Sequence, residues 1–104
     1  MSQQEEAYHL AARENENAVE SKLFGKPCYK VNGKAFCCFF QDEMVFKLAD
    51  PHHSVAMLLD GAKLFDPSGK KRPMKEWVQI SFEFKEQWHH FSHKAFEYVL
   101  SQTK

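Results

Sequence analysis

The sequence lacks a net charge: fourteen Lys and Arg residues balance fourteen Asp and Glu, for a formal total of +0. No overall field therefore steers the chain toward nucleic acid. It also lacks long apolar runs, so no segment reads as membrane-spanning. No charged segment followed by an apolar stretch opens the chain as a secretion signal would. Internal repeats, low-complexity tracts and linkers are missing too. The cysteines, Cys28, Cys37 and Cys38, are three in number and have no C-x-x-C spacing. Adjacent Cys37 and Cys38 would point to opposite faces of a strand and could not easily bond each other. They read as reduced, buried small hydrophobes, a usage that points to a reducing, cytoplasmic compartment.

What is present suits a single domain, 1–104. With 104 residues the chain can bury roughly 60–70% of its unfolded surface, enough for a core without metal or disulfide staples. A hydrophobic share of 43% excludes a disordered tail, and ten Phe residues fall mostly in strand-like runs or near the end of the chain.

Residues 4–22 contain no Gly or Pro, and Tyr8, Ala11, Ala12, Ala18, Val19 and Leu23 recur at helical spacing, interrupted at Asn15. The expectation is one amphipathic helix, with Ser2 and Glu5 at capping-box spacing. From Cys28 the period shortens to two. Asn32-Gly33 joins two such runs and suits a tight hairpin turn; Phe36, Cys38 and Phe40 would share one face, Cys37 and Phe39 the other. Residues 41–43 make a second tight connection, and 44–48 a third strand with Met44, Phe46 and Leu48 on one face. Asp50 and Pro51 fit the start of a helix that Gly61 ends, with Val55, Met57, Leu58 and Leu59 on its buried side. A short strand follows at 63–65, a turn at 66–69 and a basic loop to Pro73. Residues 76–82 form another strand, with Trp77, Gln79 and Ser81 alternating against Val78 and Ile80. Residues 84–101 read as a helix with Phe84, Trp88, Phe91, Ala95 and Tyr98 in one stripe. The expected order is α-β-β-β-α-β-β-α: an α+β fold in two layers, a five-stranded antiparallel sheet with helices packed on it.

Motifs for chemistry are weak. His89 and His93 have the i, i+4 spacing that two metal ligands on a helix need, with His90 between them. The H-E-x-x-H pattern is not met, and no third ligand can be placed beside them. These histidines read as solvated or half-buried, and no metal or other cofactor is expected. Gly69-Lys70-Lys71 fails as a phosphate loop, since Leu64 stands where its first glycine belongs and Lys71 where Ser or Thr must follow. No strand–turn–helix elbow presents a nucleophile, and no carboxylate pair has acid/base spacing, so no enzyme is expected.

The charge distribution carries more. Residues 1–20 hold five Glu and one Arg, whereas residues 22–34 hold Lys22, Lys26, Lys30 and Lys34 without an acid. Lys70, Lys71 and Arg72 lie between Pro67 and Pro73, and Asp66 is positioned to pair with Arg72. Two readings are open. These cations form a solvated surface, or Lys26, Lys30, Lys34, Lys70, Lys71 and Arg72 face an acidic partner: a protein first, a nucleic-acid backbone bound weakly second. A metal-binding protein or enzyme using the histidines is the third, from another class. Monomer and homodimer are both open.

Leu23-Phe24-Gly25-Lys26-Pro27 with Val31-Asn32-Gly33-Lys34-Ala35-Phe36 resembles the opening of the TfoX N-terminal domain family. Val45-Phe46-Lys47-Leu48 is similar to its third strand. Gly61-Ala62-Lys63-Leu64-Phe65-Asp66-Pro67-Ser68-Gly69 and Arg72-Pro73-Met74-Lys75-Glu76-Trp77-Val78 resemble its most recognisable stretch. The resemblance covers a little over half of the chain. It implies a two-layer α+β fold similar to type III secretion chaperones and YjbR-like proteins. It brings no catalytic residues. In full-length competence regulators such a domain is joined to a C-terminal helical domain and acts in transcriptional activation; the expectation here is the domain alone, as a cytosolic binding module.

Overall fold

Ser2 opens the first helix, its hydroxyl accepting the Glu5 N–H at 3.0 Å as the capping spacing predicts. A computed structural model describes residues 2–103. Helix α1 (Gln3–Arg13) stops well short of residue 22. Asn17 adopts a left-handed φ of 68°, which Asn tolerates better than most residues, and the chain reverses there. Val19–Leu23 is strand β1, not helix. Ala18, Val19 and Leu23 suit both periods, and pairing with the next strand selects the period of two.

Strands β2 (Lys26–Val31), β3 (Lys34–Phe40) and β4 (Glu43–Lys47) follow as consecutive antiparallel hairpins. All three connections place both central residues at positive φ: Phe24 and Gly25, Asn32 and Gly33, Gln41 and Asp42. That is the turn geometry whose twist matches paired strands. Helix α2 (His52–Met57), β5 (Lys63–Phe65), β6 (Met74–Ile80), a 3-10 turn (Phe82–Phe84) and α3 (Lys85–Gln102) complete the fold. The sheet has six strands in the order β1-β2-β3-β4-β6-β5. The fold is α+β, one antiparallel sheet with three helices packed on it, and β1 is the strand that the five-strand expectation missed.

The two faces of the sheet are packed differently. On the front, Tyr29, Val31, Met44, Phe46, Val78 and Ile80 meet Tyr8, Trp88, Phe91 and Val99 of α1 and α3. On the back, Cys28, Cys38, Val45, Phe65 and Trp77 form a second, smaller core without a helix over it. The alternation of β4 and β6 follows expectation. That of β3 does not: Phe36 joins Cys37 on the front because the register shifts between Tyr29 and Lys30, leaving Phe36 as the extra residue of a bulge.

Helix α2 is shorter than expected, and Val55 and Leu58 are exposed at 51% and 84%; Ala56 supplies its buried contact. The N-cap is Pro51, not the expected Asp50, and it makes no side-chain cap bond; Asp50, one residue earlier, accepts the Ser54 N–H at 3.0 Å and the Ser54 hydroxyl at 2.5 Å. On α3 the buried stripe is Trp88, Phe91, Ala95, Phe96 and Val99. Tyr98 is half-buried instead, its hydroxyl donating to the Glu76 carboxylate of β6.

Candidate functional site

The loop between β5 and β6 is held by one carboxylate. Asp66 Oδ1 accepts the Ser68 hydroxyl at 2.9 Å and the Gly69 N–H at 3.1 Å, and Ser68 Oγ accepts the Lys70 N–H at 3.1 Å. Partial desolvation pushes the Asp66 carboxyl up. Hydrogen bonds from Ser68, Gly69 and the backbones of Lys71 and Arg72 outweigh it, so the carboxyl lies below its ordinary value. The expected Asp66–Arg72 ion pair is not formed, because the carboxylate is occupied by its own turn. Lys70, Lys71 and Arg72 are all exposed, and none makes an ion pair among the described residues.

Phe65, where this loop departs, packs its ring 5.2 Å from that of Phe40 and 6.4 Å from that of Trp77. Phe40 belongs to β3, three strands from β5 in the sheet order. That ring contact therefore spans the back face across β4 and β6 and ties the start of the loop to β3. Between them, Phe40, Gln41, Leu64, Asp66, Pro67 and Gln79 line part of an open cleft of about 350 Å³. The Lys26 ammonium stands 5.2 Å from the centre of the Phe40 ring, a cation–π contact that places it on the same face.

The six sequence-predicted cations thus divide. Lys26 and the loop bearing Lys70, Lys71 and Arg72 are linked through Phe40 and Phe65. Lys30, half-buried on the same strand as Lys26, stands between Val19 of β1 and Ala35 of β3. Lys34 sits opposite Val31 at the other end of the β2–β3 hairpin, away from the cleft.

The histidines of α3 are not brought into one site. His89 Nδ1 lies 2.9 Å from the Glu14 carboxylate. His93 meets Asn15 Oδ1 at 3.2 Å and Glu97 at 3.6 Å. His90 has its ring 6.1 Å from that of His52; burial, then the nearby charges of Lys94, His52 and His93, lowers its pKa. No group of three or more His, Cys, Asp or Glu among the described residues is placed to hold a metal ion.

Sequence reasoning passed over His9. Its ring is buried, with Nδ1 2.8 Å from the Tyr29 hydroxyl and 3.4 Å from a Glu20 oxygen, and with Nε2 3.8 Å from Glu5. A lone His on an apolar helix face carries no motif. Only the β1–β2 pairing brings Glu20 and Tyr29 to it.

No protein-family model, curated protein or solved structure matches the chain. No helix among the described residues is long and apolar enough to cross a membrane.

Proposed function

We propose that this chain is a non-enzymatic binding module of the TfoX N-terminal type, with a cytoplasmic role and no cofactor, that takes an acidic protein segment on the back face of its sheet. The observation that carries this reading is the Asp66 turn. It holds the loop through its own backbone and leaves the side chains of Lys70, Lys71 and Arg72 without an ion pair among the described residues, beside a cleft whose apolar lining includes Phe40, Leu64 and Pro67. Fixed cations next to an apolar cleft suit a peptide that offers both carboxylates and side-chain bulk. The neutral total charge supports a protein partner over nucleic acid, which gains most from a broad basic field. Three buried, unbonded cysteines support the reducing compartment.

The test is fluorescence anisotropy with a labelled Asp/Glu-rich peptide and, in parallel, a labelled mixed-sequence duplex, each across a salt series. The peptide should bind, and joint replacement of Lys70, Lys71 and Arg72 by Ser should abolish binding without moving the denaturation midpoint, because exposed charges contribute little to stability. Tighter, steeply salt-dependent binding of the duplex would favour the nucleic-acid reading. Peptide binding that survives the triple replacement would leave the loop as a connection only.

A further inference from the structure

We propose that the free edge of β1 pairs with β1 of a second copy of this chain, antiparallel about a two-fold axis through Ser21, making a continuous sheet across the dimer. The sheet ends at β1 on one side and at β5 on the other. Strand β5 has three residues and an irregular register, which blunts it as a template. Strand β1 has five residues, no proline and an unbroken register with β2 from Val19↔Lys30 to Leu23↔Lys26.

The phase of the backbone follows from the turn. Leu23 and Lys26 close the two-residue β1–β2 turn and so form a hydrogen-bonded pair. Alternation then directs the Leu23, Ser21 and Val19 groups toward β2 and turns the N–H and C=O of Lys22 and Glu20 outward. Pro27, which has no N–H to give, stands opposite Lys22, as a non-bonded pair allows. The next outward N–H, that of Ala18, is already donated to the Asn15 carbonyl at 3.1 Å. Glu20 and Lys22 are thus the residues whose outward backbone can meet another strand.

Charge then selects one register. An outward residue must face an outward residue, so an antiparallel partner can set Glu20 against Glu20, Lys22 against Lys22, or Glu20 against Lys22. The first two oppose like charges directly, which is destabilising, and the third makes two opposite-charge pairs. Read about Ser21, the strand Val-Glu-Ser-Lys-Leu is complementary to itself: Glu20 meets the partner's Lys22, and Val19 meets the partner's Leu23. Val19, 61% exposed, is one of five large apolar side chains left open among the described residues, and Phe24, also 61% exposed, is another at the end of the same strand. Leu23 already packs against the back-face core, so the Val19 contact would extend that core across the axis. On the front, an open cleft of about 390 Å³ between α1 and β1 leaves the edge uncovered. This edge is remote in sheet order from the loop assigned to the acidic partner, and the two proposals stand or fall separately.

Sedimentation velocity over a concentration series, with circular dichroism to verify folding, tests the pairing. The wild-type chain should approach twice its 12.2 kDa mass. Glu20→Lys alone and Lys22→Glu alone should each weaken the dimer about tenfold, since each replaces two opposite-charge pairs with two like-charge pairs. Mixing the two single variants should restore association as a heterodimer, because every Glu of one strand then faces a Lys of the other. The double variant Glu20→Lys/Lys22→Glu should restore the homodimer. A wild-type chain that stays monomeric throughout overturns the proposal and leaves the edge charges as guards against aggregation. A dimer indifferent to either reversal, or single variants that do not recover on mixing, overturns it equally.

Discussion

The Tyr29 hydroxyl and His9 Nδ1 lie 2.8 Å apart across the junction of α1 and β2. Both residues are buried, at 3% and 7% exposure. The pair joins the first helix to the sheet by a hydrogen bond beside an apolar contact, where Tyr8 packs its ring 5.5 Å from that of Tyr29. A polar contact in such a place costs more when half of it is removed than it contributes when complete.

Tyr29→Phe should therefore destabilise the fold by about 1–3 kcal/mol, because it leaves a buried imidazole nitrogen without the hydroxyl while keeping the ring that fills the space. A urea midpoint equal to that of the wild type would show that Glu20 alone suffices for His9.

Trp77 is 7% exposed and packs with Phe65 and Met74, on the face away from α3. Trp77→Ala should cost about 3–5 kcal/mol through the cavity it opens in the smaller core. An unchanged chemical denaturation midpoint would refute this and make Trp77 a surface anchor.

The cysteines impose an alkaline limit. Burial, then the neighbouring Cys28, pushes the Cys38 thiol from its ordinary 9.0 up to about 12. Burial, then Cys38 and Cys28, holds Cys37 well above that ordinary value, and burial also raises Cys28 despite the opposing charge of Lys30. The folded state keeps protons that the unfolded chain releases, so stability is intact below pH 9 and falls as pH rises from about 9 toward 12. Denaturation midpoints across that interval should decline, and replacing Cys38 by Ala should flatten the decline. A midpoint independent of pH in that range would contradict the burial of these thiols.

The parts of the fold legible beforehand were those fixed by short-range chemistry. Asn32-Gly33 specified its turn, Ser2 and Glu5 specified a helix start, and the two-residue alternation of Met44–Phe46 and of Trp77–Ile80 specified faces. What was hidden depends on distant partners. Val19 and Leu23 become strand residues because Lys30 and Lys26 lie opposite them, and Phe36 changes face through a bulge that no local signal marks. Leu58 suits a helix interior by composition but lies outside α2, which ends at Met57. At the candidate site, the basic loop was visible as a run of charges, whereas its connection to Lys26 required the ring contacts of Phe40 and Phe65. Asp66 belongs to a turn by its neighbours Pro67, Ser68 and Gly69, but its preference for backbone donors over Arg72 belongs to the folded loop.

Hydrogen bonds beside the front core join distant parts of the chain. Asn15 donates to the Ser92 hydroxyl at 3.1 Å, and Asn32 donates to Thr103 at 2.9 Å. The hairpins β1–β2, β2–β3 and β3–β4 need only their own neighbours, so they can assemble in the order in which a ribosome delivers them. Phe46, Val78 and Ile80 have no lid until Trp88, Phe91 and Val99 arrive on α3. During synthesis the part of the front face that α1 does not cover thus stays bare until α3 leaves the exit tunnel, the interval in which a nascent chain of this design most needs a chaperone.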